Sequence, residues 1–369
     1  MLPEQKNKIA LGPLENLLDD ITLSDIVVNG TDSIYIERNG LMEKTEYRFE
    51  SRDELIDLIF ALAKELGGVS LEELDRHKMA DFVLWDGSRM NVVLPPVAGN
   101  GPHISIRKFN YYRLTFSDLI SYKTATPEVF HFLSLVVKAR KNCIIAGGTG
   151  SGKTTLMNIL SSYIPDYERV IVIEDFPELQ LDQPDVARLQ TLNTHTGTNI
   201  TIRELLVNAL HMRPDRIIVG ESRGPEAIDL LQAMNTGHDG SLTTIHANTP
   251  RDTLFRMETM CLMANIGLPH SAIRKQIASA IDFVIFVTRL PDGQRKITQI
   301  SEITGMEGEV INMADVFVFK IETKDSMTGA VRGNILPTGY VPPFVNQMKE
   351  TGEKIDFSIF KAEANANPW

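Results

Sequence analysis

Apolar residues along this chain gather into short runs, and the residues after each run separate one part of the molecule from the other. In the amino-terminal third, strand-like runs at 21–28, at Ile34-Tyr35-Ile36-Glu37 and at His103-Ile104-Ser105-Ile106-Arg107 are broken by turn residues, with Asn39-Gly40 predicting a hairpin turn. Ser51-Arg52-Asp53-Glu54 predicts a capping box for a helix bearing Leu55, Leu58, Ile59, Leu62 and Leu66, stopped by Gly67-Gly68. Gly99-Asn100-Gly101-Pro102 reads as a loop, and residues 108–126 as a connector. Further on, the runs become more apolar and largely β-branched, at 142–146, 170–173, 217–219 and 242–245, with Asn142, Thr243 and Thr244 their polar members. Between them lie helical patterns at 155–160, 201–211, 225–234 and 252–263, whose leucine and methionine spacing is a core-packing signal. Beyond Pro291-Asp292-Gly293 the pattern turns to hairpins at 296–303 and 316–321, then to a proline-broken stretch and a polar tail expected to be mobile. The expected organisation is an α/β domain over residues 1–110, a linker over 111–126 and a second α/β domain over 127–369.

Each of these runs leads into a polar station. The first is Gly147-Gly148-Thr149-Gly150-Ser151-Gly152-Lys153-Thr154, the pattern G-x-x-x-x-G-K-[ST], with Thr155 next in the adjoining helix. Its glycines let backbone N–H groups face phosphates at a helix N-terminus. Lys153 is placed for the β/γ-phosphates, and Thr154 for Mg²⁺. The second station is Glu174-Asp175 with Glu178, three carboxylates within five residues. A water attacking a γ-phosphate needs a positioned acceptor, so the general base is sought there. Glu178 is preferred, and Glu174 stays open. The third is Gly220-Glu221, whose carboxylate suits Mg²⁺ or its bound water. The fourth runs from Gly237-His238-Asp239-Gly240 to His246, which is placed to sense the γ-phosphate, with His238 the weaker candidate. In open α/β sheets ligands bind outside the carboxyl ends of the strands. Four such ends would surround one ATP.

With these motifs in view the chain resembles the type II/type IV secretion-system ATPase family, ring-forming secretion and pilus motors. The resemblance rests on the P-loop, the box Glu174-Asp175-Phe176-Pro177-Glu178, the segment 215–223 with Gly220-Glu221, and the histidine box 237–248. Leu11-Gly12-Pro13-Leu14-Glu15, Val28-Asn29-Gly30, Ile104-Ser105-Ile106-Arg107-Lys108, Ala233-Met234-Asn235-Thr236 and Ile303-Thr304-Gly305-Met306-Glu307-Gly308 are similar to the Tad/Flp pilus assembly branch, the CpaF type. The resemblance implies a small PAS-like α/β domain joined to a RecA-like ATPase domain. It further implies a homohexamer, cytoplasmic and peripheral on the inner membrane, working with membrane platform proteins. It also implies arginines of the amino-terminal domain that reach the phosphates, with Arg107 matching one position and Arg89 another. Guanidinium groups there would spread charge on the transferred phosphoryl. Arg203 and Arg213 are further basic candidates that equally suit bracing of acidic neighbours. Two departures stand out: His211 replaces a common arginine, and only about ten residues precede the Leu11-Gly12-Pro13 segment.

Composition narrows the alternatives. The chain has 369 residues, enough for two cores. It carries 48 acidic against 37 basic side chains, a net charge of −11. Non-specific nucleic-acid binding depends on basic side chains neutralising phosphates, so the balance argues against a nucleic-acid translocase on the same core. Arg295-Lys296 and Arg274-Lys275 read as solvated faces. The intact acidic stations argue against a nucleotide-binding scaffold that does not hydrolyse. No apolar run reaches the ~18–20 residues of a membrane span, and the first residues lack a signal-peptide core. Cys143 and Cys261 give no disulfide or metal framework, and Cys143 reads as a small buried hydrophobe.

Overall fold

The computed structural model describes residues 9, 11–38, 40–66, 70–109, 114–193, 199–325 and 331–362. They form two compact units, one up to residue 113 and one from 114 onward, apart from the short segment 193–198.

The first unit contains α1 (Leu14–Asp19), β1 (Leu23–Asn29), β2 (Ile34–Arg38), β3 (Leu41–Lys44), α2 (Arg52–Leu66), α3 (Leu71–His77), β4 (Met79–Val83), β5 (Arg89–Val93) and β6 (His103–Arg107). Its strands make an antiparallel sheet in the order β3-β2-β1-β6-β5-β4. Ile26, Val28, Ile34, Ile36, Met90, Val92, Ile104 and Ile106 alternate along these strands, and they share one core with Leu55, Ile59 and Leu62 of α2. The opposite face is more exposed and carries the charged residues, because successive side chains of a strand point to opposite sides. On it Asp25 lies opposite both Glu37 and Arg107, and Arg107 lies opposite Arg89.

Two local expectations shift. The first strand begins at Leu23, leaving Ile21 exposed. At the start of α2 the Ser51 Oγ accepts from the Glu54 N–H at 3.1 Å, but the Glu54 carboxylate accepts from Glu50 N–H, one residue earlier than a capping box requires. Asn39 of the expected hairpin turn and the Gly67-Gly68 stop lie outside the described residues.

The second unit runs α4 (Phe116–Ser121), α5 (Pro127–Lys138), β7 (Cys143–Gly147), α6 (Lys153–Ser161), β8 (Val170–Glu174), β9 (Val186–Gln190), then the two-residue pair β10 (Leu192–Asn193) and β11 (Asn199–Ile200). It continues with α7 (Ile202–Ala209), β12 (Arg216–Val219), α8 (Glu226–Asn235), β13 (Leu242–His246), α9 (Pro250–Met263) and α10 (His270–Ala280). Last come β14 (Phe283–Arg289), β15 (Arg295–Glu307), β16 (Val310–Lys324), β17 (Val331–Pro337) and α11 (Pro343–Glu350).

Nine of these strands form one sheet, β17-β16-β15-β14-β7-β13-β12-β8-β9, parallel from β14 to β9 and antiparallel beyond β14. Alternate residues of the parallel strands feed two different cores. Cys143, Ile145, Val170, Val172 and Ile218 pack with Leu156, Ile159 and Leu160 of α6. Ile144, Ala146, Ile171, Ile173, Ile217 and Val219 pack with α8, α9 and α10 on the other side. Burial on both faces is why these strands read as unbroken apolar runs.

The hairpins expected at 296–303 and 316–321 are longer strands, β15 and β16, and they continue the same sheet. The proline-broken stretch after Pro337 is packed into the core at several points. Phe344, Val345, Ile359 and Phe360 are buried, and Phe360 meets Phe132 edge-on at 5.7 Å between ring centroids. Aromatic anchors of this kind tie chain ends into a core. Residues 363–369 lie outside the described residues.

Candidate active site

Strands β7, β13, β12 and β8 are neighbours and parallel, so their carboxyl ends lie along one edge of the sheet. That edge brings the four stations of the second unit together.

The loop after β7 is shaped by its glycines. A Cβ on Gly147 would fall 2.1 Å from the Val287 carbonyl oxygen, a contact no side chain survives. Gly152 holds φ at 95° just before α6, the left-handed region that glycine enters without a Cβ penalty. The first N–H groups of α6 have no helical carbonyl to bond, so they face outward as anion donors. Thr154 and Thr155 stand half-buried in that first turn, and Gly148 and Thr149 are exposed at the loop tip.

Lys153 is buried, with its Nζ donating to the carbonyls of Gly147 at 3.2 Å and Gly148 at 2.9 Å. The same Nζ lies 3.3 Å from His246 Nδ1, and His246 Nε2 lies 3.1 Å from Glu221 Oε1. A lysine can only donate and a carboxylate only accept, so a neutral imidazole with its proton on Nε2 satisfies both. Burial, and then the Lys153 charge, hold the His246 pKa below its ordinary value, consistent with that neutral form. Glu221 continues to Arg223, whose Nη2 donates to Oε2 at 2.8 Å, while Arg223 Nη1 reaches Asp175 at 4.0 Å. The turn carrying Glu221 is itself braced. Thr244 Oγ1 donates to the Gly220 carbonyl at 2.8 Å, and Glu226 Oε1 accepts from the Arg223 and Gly224 N–H groups at 2.7 and 2.8 Å.

The two carboxylates of the acidic box stand in different settings. Glu174 is buried, and its Oε1 accepts from the N–H groups of Glu178 and Leu179, both at 2.9 Å. Burial pushes its carboxyl pKa up, and the two donors pull it back. Its side chain therefore shapes the loop. Glu178 is half-buried within that loop.

Arg107 and Arg89 belong to the first unit, where they are cross-strand neighbours on the face away from its core. His238 serves a turn, with its Nδ1 3.2 Å from the Ala233 carbonyl. Arg203 braces Asp229 at 2.7 Å, and Arg213 takes a left-handed backbone turn with φ of 55°. Of the basic pairs read as solvated faces, Lys275 is exposed, but the other three are more committed than that. Arg295 donates to the Gly150 carbonyl at 2.8 Å, beside the P-loop, and Lys296 is buried on the Lys123 carbonyl. Arg274 grips Glu258 through Nε at 3.0 Å. Arg223 escaped sequence reasoning as a site residue, since nothing marks an arginine two places after a strand-end glutamate. Arg295 escaped it because its partner lies 145 positions away.

The type II/IV secretion system protein family matches residues 7–316 of the chain. The type IV secretion system protein VirB11 of Bartonella quintana is 32% identical over 328 residues, covering 79% of this chain and 91% of VirB11. The conjugal transfer protein TrbB of Rhizobium radiobacter is 31% identical over 298 residues, covering 79% of this chain and 86% of TrbB. Among solved structures, the pilus retraction motor PilT with bound ADP superposes with a TM-score of 0.57 at 19% identity, over 93% of this chain and 87% of that one. At that identity the likeness speaks to fold, an amino-terminal domain followed by a RecA-like domain. The matched span carries every station described above, and the chain therefore belongs to the type II/IV secretion system protein family, as a nucleotide-binding ATPase.

Proposed function

We propose that this chain is the subunit of a homohexameric motor of the Tad/Flp pilus type, hydrolysing Mg²⁺-ATP on the cytoplasmic face of the inner membrane to move pilus or secretion components. The observation that carries the proposal is the side-chain path Lys153–His246–Glu221–Arg223–Asp175, which links three strand ends beside a phosphate cradle. Phosphoryl transfer is mostly positioning and charge, and a connected path lets occupancy at Lys153 be felt at the acidic box. Among the described residues no helix is long and apolar enough to cross a membrane, so membrane attachment is assigned to platform proteins.

The residues present suit Mg²⁺. Thr154 offers a hydroxyl and Glu221 a partly exposed carboxylate, both hard oxygen donors. Mg²⁺ beside a nucleotide needs only one or two protein ligands, the rest being phosphate oxygens and water. When bound it neutralises charge on the β- and γ-phosphates. The N–H groups from Gly148 to Lys153 hold the phosphates, and Lys153 turns from the loop carbonyls to them. Glu178 takes the proton of the attacking water, and Glu174 holds the loop that presents it. His246 reports γ-phosphate presence to Glu221.

Arg107 and Arg89 supply positive charge from the first unit to the phosphates of their own or a neighbouring chain. They are cross-strand neighbours on one face of the sheet, with Asp25 opposite Arg107, so the two guanidinium groups are presented side by side.

The test is Mg²⁺-dependent ATP hydrolysis per subunit across a wide protein concentration range, with the mass of the assembly followed in parallel. Specific activity is expected to rise as the hexamer forms and then level. Full activity in a monomer would end the motor proposal, and stimulation by nucleic acid with steep salt dependence would favour a translocase.

A further inference from the structure

The loop that carries Glu178 is held by side chains rather than by a ladder. Residues 175–185 lie between β8 and β9, outside any strand or helix, and their backbone groups find partners on neighbouring side chains. Glu174 takes the N–H groups of Glu178 and Leu179. The next N–H, that of Gln180, donates to Asn158 Oδ1 at 2.8 Å. Arg188, on β9, donates from Nη2 to the Leu181 carbonyl at 3.1 Å. Gln183 Nε2 then donates to the Ser161 carbonyl at 2.7 Å, at the end of α6. Leu179 and Leu181 are buried in the same core as Leu156, Ile159 and Leu160 of that helix.

Asn158 is the telling member. It lies four residues after Thr154 on α6, and residues four apart share a helix face. The face that presents Thr154 to the phosphates thus also grips the acidic loop one turn below. A carboxylate acting on a bound water must be held to well under an ångström, and a ~1 Å misplacement can cost ~10²-fold in rate. A loop without a ladder achieves that only through such anchors.

We infer that Asn158 is a positioning residue for ATP hydrolysis, fixing the Glu178 loop to the P-loop helix so that base and phosphate cradle move as one body. Arg188 is the second anchor, from the far side of the loop. The inference rests on Glu178 being the base, so the experiment includes Glu178→Gln.

Turnover number, ADP affinity by calorimetry and melting temperature are measured on the assembled full-length protein. The variants are Asn158→Ala, Asn158→Asp, Arg188→Gln, Glu178→Gln and the double variant Asn158→Ala/Glu178→Gln. Asn158→Ala is expected to lower turnover about 10- to 100-fold with ADP affinity changed less than about threefold. Asn158→Asp keeps an oxygen acceptor for the Gln180 N–H and is expected to recover most of the rate. Arg188→Gln loses a smaller share, about threefold to tenfold, and serves in place of the alanine variant should that one not fold. In the Glu178→Gln background, Asn158→Ala is expected to cost nothing further, because both act through one carboxylate.

An equal loss of ADP affinity and turnover would overturn the inference, since it would mean a damaged P-loop helix. Full additivity in the double variant would do the same. If Glu178→Gln is inactive while Asn158→Ala and Arg188→Gln turn over normally, positioning fails and the base assignment stands. If Glu178→Gln hydrolyses at the wild-type rate, both fail together.

Discussion

Strand β12 is charged at both ends, and the two ends live in opposite conditions. At its start Arg216 is fully buried and paired with Glu168, itself almost fully buried, while Arg140 reaches the same carboxylate at 3.4 Å. Arg216 also lies against Gly240, where an added Cβ would fall 2.3 Å from Nη1. Just past its end Glu221 is partly exposed, at 20% of its side chain, and shared between His246 and Arg223. One cluster is enclosed, with its ions in fixed partnership. The other is partly open to solvent, with its carboxylate divided between two partners. Burial of a charge pair makes its members costly to separate. Partial exposure lets a charge be redirected toward an incoming ion. Of two strand-end ion clusters, the open one is suited to chemistry.

The comparison is broken most forcefully at the enclosed end. Arg216→Met leaves Glu168 buried with only the weaker Arg140 contact, and is expected to destabilise the protein by about 3–5 kcal/mol. Thermal unfolding checks it, at about 2–4 °C per kcal/mol for a domain of this size. Removing both ions in Arg216→Met/Glu168→Leu is expected to restore much of the loss. If the single variant melts like wild type, the enclosed cluster is not structural.

At the open end, Lys153→Ala is expected to lower ATP turnover about 10²- to 10³-fold while the melting temperature stays within about 2 °C. A large fall in melting temperature would erase the distinction between the ends. Glu221→Gln is expected to cost about 10²-fold in turnover while keeping nucleotide, seen as an ATP-loaded assembly by retention of labelled ATP. Wild-type turnover in that variant would remove Glu221 from the mechanism.

The smallest effect concerns pH. The His246 pKa in the folded chain lies below its ordinary 6.5, chiefly through burial and then through Lys153. The unfolded chain therefore binds a proton there first as pH falls through 6.5, and the folded state loses stability until its own lower pKa is reached. Above that window His246 contributes no pH dependence. The difference in melting temperature between wild type and His246→Gln should accordingly change between about pH 7.5 and about pH 5.5, by a few degrees at most because the ring is partly exposed.

Legibility in the sequence tracked the range of the interaction. The parallel strands were readable because burial on both faces demands unbroken apolar runs, as in Val170–Glu174 and Cys143–Gly147. The P-loop was readable because its glycines, lysine and threonine sit within one short segment and answer local needs, such as the left-handed backbone at Gly152 just before α6. The capping box at Ser51 slipped by a residue, since its reciprocal bond depends on how the chain enters the helix. Arg295 and Lys296 were misread as solvated because their acceptors, the Gly150 and Lys123 carbonyls, are far away in sequence. The aromatic anchoring of Phe344 and Phe360 was hidden by prolines that look like loop signals when the distant Phe132 is out of view.

By itself, then, the sequence determined the two kinds of strand, the phosphate cradle and the identity of the polar stations, because each depends on neighbours within a few residues. Only the tertiary structure decided how the stations connect. It distinguished the buried, loop-shaping Glu174 from the half-buried Glu178, joined Lys153 to Glu221 through His246, and brought Asn158 to the Gln180 backbone. Those relations depend on which strand ends lie side by side and which loops lack ladders of their own. Strand order and the satisfaction of buried backbone groups are properties of the assembled sheet, and no local pattern encodes them.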